Sequence, residues 1–231
     1  MVKIPVRFTA DQSDKSQQSI LSVDIRQCAL ILVDCDGDSG PECGAVVSGA
    51  IATAVTACRE AGVLCVYVYN EMRPNGLFDE LHFERRGRPI PTQVVNEPSW
   101  PECIKPRNTD LIVAKCHQSA FVGTDLAELL QQQNVKTLFT VGFSFKSCLF
   151  YTCVSAFQHG FRVVLLRDGT DPPGTNEFPD TIDRSLPERG WVRRVLTRLV
   201  EDHCGYTSTT ESLATVMRHA TEVEVGHSQH N

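Results

Sequence analysis

Ala29-Leu30-Ile31-Leu32-Val33-Asp34 is an apolar run that ends on a carboxylate, and its reading decides the fold. A short aliphatic, β-branched run without polar alternation is the mark of a strand buried on both faces. Leu111-Ile112-Val113-Ala114 repeats the pattern and ends on Lys115. Leu138-Phe139-Thr140-Val141-Gly142 repeats it again, with Cys148 a short turn later. Such strands belong to a parallel sheet, and in open α/β sheets ligands bind beyond the carboxyl ends of the strands. A carboxylate, an amine and a thiol carried to one sheet edge suggest the chemistry of a cysteine nucleophile.

Working outward, the first strand is expected over 28–34 and the second from Val63 to Tyr69. Between them Gly37, Gly40 and Pro41 mark a loop, and Val47, Ile51, Val55 and Cys58 share one face of a helix near 46–61, stopped by Gly62. Residues 70–110 are irregular and proline-rich, with a short helical piece from Leu77 to Phe83, and a stretch this long at a strand's carboxyl end reads as a lid. Thr124 and Asp125 start a helix, another spans 146–158, and Phe161 to Leu166 is a fifth strand with Asp168 just past its end. An amphipathic helix runs from Trp191 to His203, Gly205-Tyr206-Thr207 makes a short sixth strand, and Ser208 with Glu211 forms a capping box for a last helix through Val216. Strands alternating with helices predict a Rossmann-like α/β fold, a three-layer α/β/α sandwich on a six-stranded, mostly parallel sheet. The domain is expected over 28–219, with a polar N-terminal arm at 1–27 packed on the surface or on a neighbouring subunit, and a disordered tail at 220–231.

At 231 residues and 42% hydrophobic content the chain suits one globular domain with a sizeable core. Its net charge of −6 argues against nucleic acid as the main partner. No stretch resembles a transmembrane span or a signal peptide, so no membrane partner is expected and a cytoplasmic location is the default. The ten cysteines include Cys28, Cys58 and Cys65 within expected strands or a helix, where cysteine acts as a small hydrophobe, and this placement favours reduced thiols over disulfides. No C-x-x-C pair suggests a zinc ribbon.

A thiol attacks poorly until it loses its proton. Cys148 would sit near a helix N-terminus, whose dipole favours a thiolate. Asp34 could take the proton and Lys115 stabilise both anions, while backbone N–H groups from Gly142 to Cys148 could hold a tetrahedral oxyanion. This suits an acyl carbon bearing nitrogen: sulfur attacks, ammonia or an amine leaves, and water releases the acid. Each residue also has a structural reading, Asp34 as a loop acceptor, Lys115 as a solvated strand end and Cys148 as a core thiol. Phe143 and Trp100 would line the pocket or belong to the core.

The motifs resemble the isochorismatase-like hydrolases, a superfamily that includes nicotinamidases, N-carbamoylsarcosine amidase and ureidoacrylate amidohydrolases. Ala29 to Asp34 is similar to the family's first strand. Lys115-Cys116-His117-Gln118-Ser119-Ala120-Phe121-Val122-Gly123-Thr124-Asp125-Leu126 is similar to its lysine motif, and Gly142-Phe143-Ser144-Phe145-Lys146-Ser147-Cys148 to its nucleophile segment. The resemblance implies Cys148 as nucleophile, Asp34 as general acid or base and Lys115 as electrostatic support. It implies a non-proline cis peptide between Phe143 and Ser144, with the amides of Ser144 and Cys148 as oxyanion hole. It also implies a homo-oligomer, dimer or tetramer, which the 1–27 arm could serve. Phe145 stands where many members have threonine. The Asp-x-His pattern of metal-dependent nicotinamidases is replaced by Tyr69-Asn70-Glu71-Met72-Arg73, so no metal or other cofactor is expected, and Asn70 could bond a ureido or carboxamide group. Arg73, Arg85, Arg86 and Arg88 in the lid suit a small substrate bearing a carboxylate.

The reading that follows is a cysteine hydrolase cleaving a non-peptide C–N bond in a small amide or ureido compound. The rivals are vinyl-ether hydrolysis of the isochorismatase type, a non-catalytic interaction protein, and a haloacid-dehalogenase-type phosphatase. The last would use Asp34-Cys35-Asp36 as its opening motif and Asp168-Gly169-Thr170-Asp171 as its metal acids.

Overall fold

The computed structural model describes residues 1–10, 15–37, 41–71, 77–89, 98–171 and 190–228. Strands are β1 (Val2–Thr9), β2 (Ser16–Val23), β3 (Cys28–Val33), β4 (Leu64–Asn70), β5 (Leu111–Lys115), β6 (Thr137–Gly142), β7 (Arg162–Leu166) and β8 (Gly205–Ser208). Helices are α1 (Pro41–Val46), α2 (Ala52–Glu60), α3 (Leu77–Arg85), α4 (Leu126–Gln132), α5 (Phe150–Gln158), α6 (Trp191–His203) and α7 (Thr210–Ser228). They build one sheet in the order β2-β1-β8-β7-β6-β3-β4-β5. The six strands from β8 to β5 are parallel, and the β1–β2 hairpin joins β8 antiparallel.

The sheet therefore has eight strands where six were expected. The extra two come from the segment read as a polar arm. Val2, Ile4 and Val6 alternate with exposed Lys3 and Pro5, so one face of β1 feeds the core and the hairpin is part of the sheet. The last helix also runs past its expected end, to Ser228, with only 229–231 of the expected tail outside the described residues. The helix read as 46–61 starts at Pro41 and passes through a π-turn at Val47–Ile51 into α2. The expected Ser208–Glu211 capping box does not form, because Ser208 closes β8 and donates to the carbonyl of Pro5 at 2.7 Å. Thr209 and Asp168 cap α7 instead, Asp168 accepting from the Thr210 amide at 2.8 Å and its hydroxyl at 2.7 Å.

β3 and β6 are buried along their whole length, and alternate residues feed two separate cores. Leu30, Leu32, Tyr67, Phe139 and Val141 pack with Val55, Cys58, Leu213 and Met217 of α2 and α7. Ala29, Ile31, Val33, Val68 and Leu138 pack with Leu126 of α4, Cys153 and Ala156 of α5 and Val200 of α6. Helices on both faces explain the unbroken apolar runs in the central strands. All ten cysteines are free thiols, seven of them buried among these residues. No described helix is long and apolar enough to cross a membrane.

From β3 the chain moves outward through β4 to β5, then returns to the other side of β3 as β6 and continues to β8. The β3–β6 seam is thus the point where the winding reverses, and a crevice opens there at the carboxyl ends. Gly142 closes this seam at φ 120°, and a Cβ on it would lie 2.0 Å from the Val33 carbonyl oxygen. Only glycine allows the two strand ends to meet so closely.

Candidate active site

Asp34, Asn70 and Lys115 stand at the ends of β3, β4 and β5, and Cys148 follows β6. Asp34 leaves its strand with φ 49°, its amide bonded to the Val68 carbonyl at 2.8 Å, which turns the carboxylate out of strand register. After Gly142, the Phe143–Ser144 peptide bond is cis, and a single π-turn over Phe145–Leu149 leads into α5. Cys148 lies in that turn beside Ser147, whose backbone angles of φ −140°, ψ −107° break the helical path.

Lys115 joins the groups. Its side chain is completely buried, and Nζ sits 2.9 Å from Asp34 Oδ2, 3.4 Å from Cys148 Sγ and 3.2 Å from Asn70 Oδ1. Burial works against the ammonium, but Asp34 and Cys148 outweigh it and hold the lysine pKa above its ordinary value. The thiol moves the other way. Burial first, then the Asp34 carboxylate, push Cys148 up to about 11 against the opposing pull of Lys115. Lys115 pulls the thiol pKa down but does not offset burial, so the site favours the protonated sulfur.

Asp34, Lys115 and Cys148 are brought together as the strand-end reading expected. Asn70 joins them, though its carbonyl oxygen holds Lys115. Phe143 is buried in the first core, and its amide donates to Val33 O at 2.9 Å. Trp100 is half-buried against that core, edge-on to Tyr67 with ring centroids 5.0 Å apart. Phe145 is buried in the second core. The Ser144 amide meets no acceptor among the described residues, while the neighbouring amides of Phe143 and Phe145 are both bonded. Arg85, Arg86 and Arg88 are exposed on α3 and the turn after it, and Arg73 lies outside the described residues.

Sequence reasoning missed the role of Asp171. Its buried carboxylate accepts from the Phe145 amide at 2.5 Å and the Ser144 hydroxyl at 3.3 Å, so it fixes the turn that carries Cys148. The only signal was an acid shortly after a strand's carboxyl end. That acid and Asp168 were the metal acids required by the phosphatase reading, and both are committed to helix capping and to this turn. Among the described residues no three His, Cys, Asp or Glu side chains are grouped to hold a metal ion.

The fold and these contacts define a Rossmann-like α/β scaffold with acid, ammonium and thiol gathered at its switch point. Residues 21–181 match the isochorismatase domain, and the chain belongs to that family of hydrolases. Among its relatives, maleamate amidohydrolase of Pseudomonas putida is 28% identical over 167 residues, covering 66% of this chain and 78% of that protein. A cysteine hydrolase from Pseudomonas syringae pv. phaseolicola superposes with a TM-score of 0.70 at 21% identity, over 86% of this chain and 95% of the other. N-carbamoylsarcosine amidase from Thermoplasma acidophilum gives 0.60 at 19% identity, over 80% and 97%.

Proposed function

We propose that the protein hydrolyses a C–N bond of a small linear amide or ureido compound through a thioester on Cys148, without a metal. The single observation that carries this is Lys115 Nζ held between Asp34 and Cys148 at 2.9 and 3.4 Å in a buried crevice. A thiol raised to about 11 needs a base at the moment of attack, and Asp34 is the carboxylate in reach. Asp34 takes the thiol proton as sulfur bonds to the acyl carbon, and the amides of Ser144 and Cys148 receive the oxyanion. The protonated Asp34 then gives its proton to the departing nitrogen, which leaves as ammonia or an amine. Water, deprotonated by the same carboxylate, attacks the thioester, and the acid departs as the sulfur regains a proton. Lys115 stays charged throughout and offsets whichever anion is present. The names of the amidohydrolase and amidase relatives favour this chemistry over vinyl-ether hydrolysis.

The test is an ammonia-release screen over monoamides of dicarboxylic acids, ureido acids and biuret-like compounds, in the presence of EDTA. Turnover that persists in EDTA and vanishes in Cys148→Ser is the expected result. Turnover restored only by added metal refutes the metal-free reading, and a fully active serine variant refutes the thioester.

A further inference from the structure

A second cavity, of about 510 Å³, opens where β1, the end of β7 and the first turns of α6 meet. Its wall carries five arginines, Arg7, Arg167, Arg193, Arg194 and Arg198, and one acid, Glu201. In a chain of net charge −6 this is a local excess of the opposite sign. Arg193 and Arg194 occupy the first turn of α6, the end at which the helix dipole disfavours cations, and that turn has no acid and no side-chain cap.

Part of this charge is met inside the protein: Asp168 and Asp171 act on Arg193, and Glu201 and Asp168 on Arg167. Glu201 is buried and accepts from Thr207 Oγ1 at 2.6 Å and from the Ser16 hydroxyl, besides pairing with Arg7 at 3.6 Å. Arg198 pairs with Asp202 at 2.8 Å. Arg167 donates from Nε to the Ser208 carbonyl at 3.2 Å, and Arg193 donates to the carbonyl of Arg167. A guanidinium has five donors, so most N–H groups of Arg7, Arg167 and Arg193 meet no acceptor among the described residues. All three are half-buried, and burial with mutual repulsion holds Arg167 below its ordinary range.

We propose that this cavity binds a phosphate-bearing small molecule, its phosphoryl oxygens held by Arg7, Arg167 and Arg193. A carboxylate offers one charge and two oxygens, which a single guanidinium fork satisfies; a terminal phosphate offers nearly two charges and three oxygens. An adjoining cavity of about 370 Å³ shares Arg7 and Arg167 and is lined by Ser19, Thr209, Ser212 and Ile20, giving hydroxyls and an apolar side chain to an organic group. Both volumes lie in the range of small-molecule sites.

Calorimetric titration of the full chain with inorganic pyrophosphate, in a sodium chloride buffer of physiological ionic strength, tests the site. Saturable one-to-one binding is expected, weakened at least tenfold in Arg7→Gln and in Arg167→Gln and unchanged in Cys148→Ser. Arg7 is 40% exposed, so its variant keeps the test intact if Arg167→Gln folds poorly. Absence of saturable binding to the unmodified chain overturns the proposal, and so does a Kd that neither arginine variant moves. Binding lost in Cys148→Ser would place pyrophosphate at the thiol and overturn it too.

Discussion

Lys115 is a charged group with no solvent contact, and three neighbours decide what it does. Its attraction to Asp34 and Cys148 keeps it an ammonium, while Asp34 helps to keep the proton on sulfur. The rate of Cys148 alkylation by iodoacetamide should therefore stay low through neutral pH and rise with a midpoint near pH 11. Asp34→Asn removes a carboxylate that raises the thiol pKa, so this midpoint should fall even as turnover is lost. Lys115→Met removes the cation that lowers it, so the midpoint should rise. Rates followed against pH by mass spectrometry check both signs, and a wild-type midpoint near 7 would show the resting sulfur to be a thiolate. Asp34, Lys115 and Cys148 were legible because each ends or follows an apolar run. Phe143 and Trp100 were not, since an aromatic ring reads alike as core or as pocket wall, and Phe143 went to the core.

At the level of elements, the turn between β6 and α5 is held from two sides. Gly142 presses β6 against β3, and any side chain there would strike the Val33 backbone at a φ that other residues rarely adopt. Gly142→Ala should lower stability by about 3 kcal/mol or more, read as a fall in the chemical-denaturation midpoint. From the other side Asp171 grips the Phe145 amide, and its removal should loosen the thiol's placement rather than the fold. Asp171→Ala should reduce kcat about 100-fold with KM little changed, in line with the loss from a misplacement of about 1 Å. Asp171→Asn keeps an acceptor oxygen and should recover most of that loss; equal damage in both variants, with a matching fall in Tm, would make the residue structural only. The parallel strands were readable because both of their faces are apolar, which leaves little ambiguity over so few residues. The hairpin was not. Pro5 interrupts β1, and β2 reads Ser16-Gln17-Gln18-Ser19, while the period-two signal of Val2, Ile4 and Val6 is too short to stand out. Asp171 stayed hidden because its partner is a backbone amide, which leaves no mark in composition or spacing.

Across the whole molecule, the eight-stranded sheet joins segments from opposite ends of the sequence. Arg7 of β1 is in register with Thr207 of β8, and Ser208 bonds Pro5 across 203 positions. Ile4 is completely buried in the core shared with α7, so Ile4→Ala should cost about 2–4 kcal/mol in global stability. A two-state urea titration measures it, and a loss confined to local fraying of the hairpin would contradict an integral role. This register also sets an order of events during synthesis. The β1–β2 hairpin pairs within itself, but the strand it docks on, β8, is made about 200 residues later, so the β7 edge of the nascent sheet stays uncovered over that interval. Without β8 the hairpin has no place in the sheet.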